Sequence, residues 1–107
     1  MDATEHLKQL KLSHETRTAL KEFAAHQGIF LKQLYRDAID WFLTEGSSSA
    51  DRDYLCSPRT GQYTSIWLPT RTIAQVKSRA SSDNIPENRV IYTSLVRYLA
   101  AHTETNI

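Results

Sequence analysis

The chain has 107 residues, 40% of them hydrophobic and 23% charged, and a formal net charge of +1. That length holds one compact domain, or two small halves that share a core. No apolar run is long enough to span a bilayer, the single Cys56 excludes an internal disulfide, and the near-neutral total requires any basic surface to be local.

The opening Met1-Asp2-Ala3-Thr4-Glu5 is polar and carries no leader pattern, and one cysteine fits a reducing compartment. A cytoplasmic protein without a membrane partner is expected. Residues 1–6 read as loose. Leu10 and Leu12 then alternate with Gln9 and Lys11, the period of a half-buried strand, and Lys8 on the inner side predicts that this strand is short. Ser13 is a candidate N-cap. Thr16, Leu20, Phe23, Ala24 and Gln27 share one helical face, and Gly28 is a natural left-handed stop. A second helix is predicted from Leu31 to Leu43. Its wide stripe of Leu31, Leu34, Tyr35, Ala38, Ile39, Phe42 and Leu43 calls for more than one packing neighbour.

Residues 46–61 have no period and are rich in Ser, Gly and charge, so they read as a linker. A second strand is expected at Tyr63-Thr64-Ser65-Ile66-Trp67-Leu68, closed by Pro69, with Thr70 capping the next helix. Thr72, Ile73, Val76 and Ala80 give that helix a thinner apolar face, and Asn84 ends it. Pro86 and Glu87 suit the first turn of a last helix, whose core residues are Val90, Ile91, Ser94, Leu95, Tyr98 and Leu99.

The two halves repeat each other. Leu12 to Leu43 returns as Leu68 to Leu99 at a constant offset with no gap. Leu12 matches Leu68, Thr16 matches Thr72, Leu20 matches Val76, Ala24 matches Ala80, Gly28 matches Asn84 and Ile39 matches Leu95. Few pairs are identical, but the chemical class recurs at each step. Two copies are too few for a solenoid and suit an arrangement in which each half covers the other.

Each copy reads strand, helix, turn, helix, and in this the chain resembles the ribbon-helix-helix family. Leu68-Pro69 matches that family's strand ending, Leu12-Ser13 matches it with Ser in place of Pro, and Leu34 to Leu43 is similar to its second helix. The resemblance implies a mainly α fold with a two-stranded antiparallel ribbon, in which two ribbon-helix-helix copies form an intramolecular pseudo-dimer. The copies are 7–45 and 62–102, joined by the linker 46–61 around one shared core.

It also implies double-stranded DNA as partner, with the ribbon in the major groove and base readout by Gln9, Lys11, Tyr63, Ser65 and Trp67. Phosphate contacts are expected where the second helices begin, at Phe30, Leu31 and Lys32 and at Asn88 and Arg89. The function this implies is a sequence-specific transcriptional regulator, a repressor. One alternative is an accessory protein that binds the transfer origin of a conjugative plasmid. Another is an interaction module of the same fold, using Tyr63 and Trp67 on a protein partner or on further copies of itself. His6, His14, His26 and His102 have no metal-ligand spacing with Cys56. No phosphate loop, nucleophile motif or acid/base pair points to an enzyme or a cofactor, Asp51 and Asp53 in the linker having no reactive partner.

Overall fold

A computed structural model describes residues 4–46 and 54–103. Strand β1 (Glu5–Leu12) pairs antiparallel with β2 (Gln62–Pro69) in a two-stranded sheet, Glu5 opposite Pro69, Gln9 opposite Ser65 and Leu12 opposite Gln62. Leu10, Leu12, Ile66 and Leu68 point to the same face and are each 2% exposed or less. Burying such a side chain is worth about 1.5–3 kcal/mol, which binds the ribbon to the helices beneath it.

Helix α1 (His14–Gln27) starts where the Ser13 hydroxyl accepts the Thr16 N–H at 3.1 Å, and ends at Gly28 with φ 72°. Helix α2 (Leu31–Trp41) passes into one π-helical turn at Phe42–Gly46, so the predicted helix changes its winding before Leu43. The wider turn keeps Phe42 in the core, 1% exposed. Helix α3 (Thr70–Asp83) ends at Asn84, which takes the left-handed conformation that Gly28 takes in the first half. Helix α4 (Glu87–Thr103) completes the order strand, helix, helix, strand, helix, helix. The core is continuous across that order. Leu34, Ile39 and Phe42 from the first half share it with Val76, Val90, Ile91 and Leu95 from the second.

Several expectations are corrected. β1 reaches back to Glu5, so residues 5 and 6 are strand and not a loose end. Lys8 does not shorten the strand, because its Nζ meets Glu87 Oε1 at 2.7 Å at the margin of the inner face. Thr70 is the first residue of α3 and not its cap. Pro69 holds the cap position without a side-chain hydrogen bond, and Thr70 Oγ1 lies 3.0 Å from His6 Nε2. Pro86 stands just ahead of α4, and its carbonyl accepts the Arg89 N–H.

The linker is in part built structure. Leu55 N–H donates to Thr93 Oγ1 at 2.8 Å, the Tyr54 hydroxyl donates to Asp83, and Tyr54 packs edge-on to Phe42. The remainder, with Asp51 and Asp53, lies outside the described residues.

Candidate nucleic-acid interface

The outer face of the ribbon follows from its inner one. Strand side chains alternate, so burying Leu10, Leu12, Ile66 and Leu68 turns Gln9, Lys11, Tyr63, Ser65 and Trp67 the other way. The register brings these five together: Gln9 faces Ser65 and Lys11 faces Tyr63. The remaining cross-strand pair is Leu7 with Trp67, 43% and 47% exposed. Leu7 was absent from the expected set, although its spacing from Gln9 and Lys11 places it on this face.

The face is graded along its length. At one end Leu7 and Trp67 form an apolar pair. At the centre Gln9 Nε2 donates to Ser65 Oγ at 3.2 Å. At the other end the Lys11 ammonium lies 5.3 Å from the centroid of the Tyr63 ring and donates to the Arg59 carbonyl at 2.9 Å. Lys11 is therefore held in place by the segment leading into β2. Arg59 itself is exposed beside it with no side-chain partner among the described residues. No sequence signal marks Arg59, because only the turn ahead of Gly61 delivers it to the ribbon.

The second helices start on either side of this ribbon. At α2, Phe30 is the cap residue, 86% exposed and without a side-chain cap bond, and the first turn carries no acidic residue. Lys32 pairs with Glu5 at 2.7 Å, which ties the start of α2 to β1. At α4, Asn88 Nδ2 donates to the Gln9 carbonyl at 2.9 Å, and Arg89 donates to the Tyr54 carbonyl at 2.8 Å. Asn88 and Arg89 are thus turned onto the protein, whereas Phe30, Leu31 and Lys32 surround an uncapped helix start that suits an anion. A depression of about 430 Å³ separates the ribbon from α4, lined by Lys11, Tyr63, Asn88, Arg89 and the linker residues Cys56 and Pro58.

The acidic groups next to the ribbon are already paired: Glu5 with Lys32 and Glu87 with Lys8. Among the described residues that leaves Lys11, Arg59 and Arg17, which donates to Gln62 at 2.6 Å, as local positive charge on a chain with little net charge. Among the described residues no cluster of His, Cys, Asp and Glu is arranged to hold a metal ion, and no helix is long and apolar enough to cross a membrane. No protein-family model, no curated protein and no solved structure matches this chain.

Proposed function

We propose that this chain is a single-chain ribbon-helix-helix protein that inserts its two-stranded ribbon into the major groove of double-stranded DNA, and acts as a transcriptional repressor. The observation that carries the reading is the pairing of Gln9 with Ser65. The offset of the internal repeat, carried back ahead of Leu12, also sets Gln9 on Ser65. A two-fold axis relating the two halves, passing between these two residues through the centre of the ribbon, would account for both facts. That coincidence supports a pseudo-dimer with one buried and one open ribbon face. A two-stranded ribbon has the dimensions of the major groove, where each base pair presents a distinct donor and acceptor pattern.

In this reading Gln9 makes a bidentate pair with adenine and Lys11 donates to guanine, once each leaves its present partner. Tyr63 and Trp67 contact thymine methyls or sugars. The start of α2 is the stronger phosphate anchor, because its N–H groups have no side-chain cap and no acidic residue stands in its first turn, whereas Glu87 stands in that of α4; Lys32, like Asn88 and Arg89, must first give up a contact within the protein. The strands differ, so the preferred site is not palindromic. The test is a salt titration of binding to random and selected duplexes. Affinity falls steeply with salt if phosphates are contacted, and Gln9→Ala with Lys11→Ala loses preference for the selected site more than affinity for random duplex.

One observation favours a second reading, an interaction module. The Leu7–Trp67 pair and Tyr63 give the open face more apolar and aromatic surface than base readout needs. Absence of duplex binding even at low salt, with loss of a protein partnership in Trp67→Ala, would establish that reading over the first.

A further inference from the structure

We propose that the cleft between α2 and α3 binds a small phosphate ester that carries hydroxyl groups, in the class of sugar phosphates and nucleotides. The inference is independent of the duplex reading and stands if that reading fails.

The cleft encloses about 520 Å³, within the range of small-molecule sites and larger than a bare phosphate needs. Two guanidinium groups line it, Arg36 from α2 and Arg71 from α3. Neither has an ion-pair partner among the described residues. Among the described residues the Arg36 guanidinium has one hydrogen bond, to Gln33 Oε1 at 3.3 Å, and its Nε is shielded from water with no acceptor. Asp37 and Asp40 are the nearby carboxylates in sequence; Asp40 lines the same cleft without an ion pair to either guanidinium among the described residues, and Asp37 accepts from Gln33 Nε2 at 2.8 Å. That bond turns the Gln33 amide so that its oxygen faces Arg36. Arg71 is exposed and has no partner among the described residues.

The Arg36 Nε is closed off from the cleft, so the donors a ligand can reach are the terminal guanidinium nitrogens of Arg36 and Arg71, and forked cations suit a phosphate better than any neutral ligand does. The other end of the cleft has a different chemistry. Asp40, Thr44 and Gln75 offer acceptors and donors there. The Asp40 carboxylate repels a second phosphate and accepts hydroxyl protons. One anionic end and one hydroxylated body fit this lining, and a run of successive backbone phosphates does not.

The experiment titrates the full chain with ribose 5-phosphate and with inorganic phosphate, followed by ¹⁵N–¹H spectra that include the Arg36 Nε–H. Ribose and sodium chloride at matched ionic strength are the controls. The expected result is saturable shifts in the millimolar range or below at Arg36 Nε–H and at the Arg71 and Thr72 amides, tighter for ribose 5-phosphate than for phosphate. Arg71→Gln, an exposed change with an unaltered melting profile, weakens binding by about tenfold. Asp40→Asn removes the preference for the sugar phosphate and retains phosphate binding.

Shifts that fail to saturate, that sodium chloride reproduces, or that persist undiminished in Arg71→Gln overturn the proposal. Displacement of bound ribose 5-phosphate by any duplex, whatever its sequence, overturns it differently by assigning the cleft to the nucleic-acid backbone. A chain that binds no duplex and still saturates with ribose 5-phosphate refutes the DNA reading alone.

Discussion

Gly61 stands where the chain enters β2, and a Cβ there meets the carbonyl carbon of Leu12 at 2.7 Å and its nitrogen at 3.1 Å. Both are backbone atoms of a buried strand end, so neither can turn aside. Gly61→Ala is expected to destabilise the fold by about 1–3 kcal/mol in urea unfolding. The same residue governs the site, since the turn before it sets Arg59 against Lys11. Three tyrosines give a second expectation at this scale. Burial raises the Tyr35 hydroxyl pKa, with the Arg17 charge pulling partly back. Burial also raises Tyr54 and Tyr98, helped by the hydrogen bond to Asp83 and by the charge of Asp37 respectively. An acid whose folded pKa lies above its unfolded value of about 10 binds more protons when folded. Its contribution to stability is complete below that value and disappears as pH rises through the folded pKa. Urea midpoints should be flat from neutral pH to about pH 10 and fall beyond it, and Tyr35→Phe should make that fall shallower. A decline that begins well below the tyrosine range would refute this account.

A two-stranded ribbon is marginal by itself, so this one depends on what lies under and beside it. Underneath are the four apolar side chains pressed on the helices. Beside it are Lys8–Glu87 from α4 and Lys32–Glu5 from α2, which fasten β1 to the two second helices. Both ion pairs are half-exposed, so each contributes at most about 1 kcal/mol; their larger effect is on the angle at which the helix starts approach the ribbon. The segment 54–60 is a further element. Thr93, fully buried in α4, holds Leu55 by its hydroxyl, and Arg89 holds the Tyr54 carbonyl. Thr93→Val keeps the shape and removes the acceptor. It should cost about 1–2 kcal/mol, and raise amide exchange at Leu55 while exchange in β1 stays slow. Equal loss of protection in the two places would show that the segment and the ribbon open together. Under the duplex reading proposed above, the same variant is expected to alter contacts at the Lys11 end of the ribbon and to leave the Trp67 end unchanged.

The molecule as a whole behaves as one unit because each half is incomplete. The radius of gyration is 13.3 Å, about that of a single 100-residue domain. α2 and α4 contact each other directly, as do the two strands. One cooperative transition is expected in denaturant, with the same midpoint by fluorescence of Trp41 and Trp67 and by far-ultraviolet circular dichroism. Its melting temperature should not vary with protein concentration, since the joining of halves is intramolecular. Two transitions, or a midpoint that rises with concentration, would contradict a shared core. The halves differ around that core. Phe23 belongs to an edge-on ring cluster with Tyr98, while Trp41 meets Tyr98 and His102. Arg79, which matches Phe23 in the repeat, lies 6.0 Å over the Phe42 ring.

The order of elements, the helix stops at Gly28 and Asn84 and the buried set on the strands were legible in the sequence. They depend on local conformational preference and on apolar periodicity, and both are properties of neighbouring residues. So was the composition of the open ribbon face, Leu7 included although it was not expected there, because alternation alone assigns it. What the sequence could not supply was the partner of each polar group. Lys8 reads as an interruption until Glu87, far along the chain, neutralises it. Asn88 and Arg89 read as free until the Gln9 and Tyr54 carbonyls are beside them. The linker reads as unstructured until Thr93 accepts one of its N–H groups. The cleft between Arg36 and Arg71 exists only because two helices from different halves pack side by side. Hydrogen bonds and ion pairs form between whatever the fold brings within about 3 Å, so they were decided by the tertiary structure, after local preference had chosen the elements.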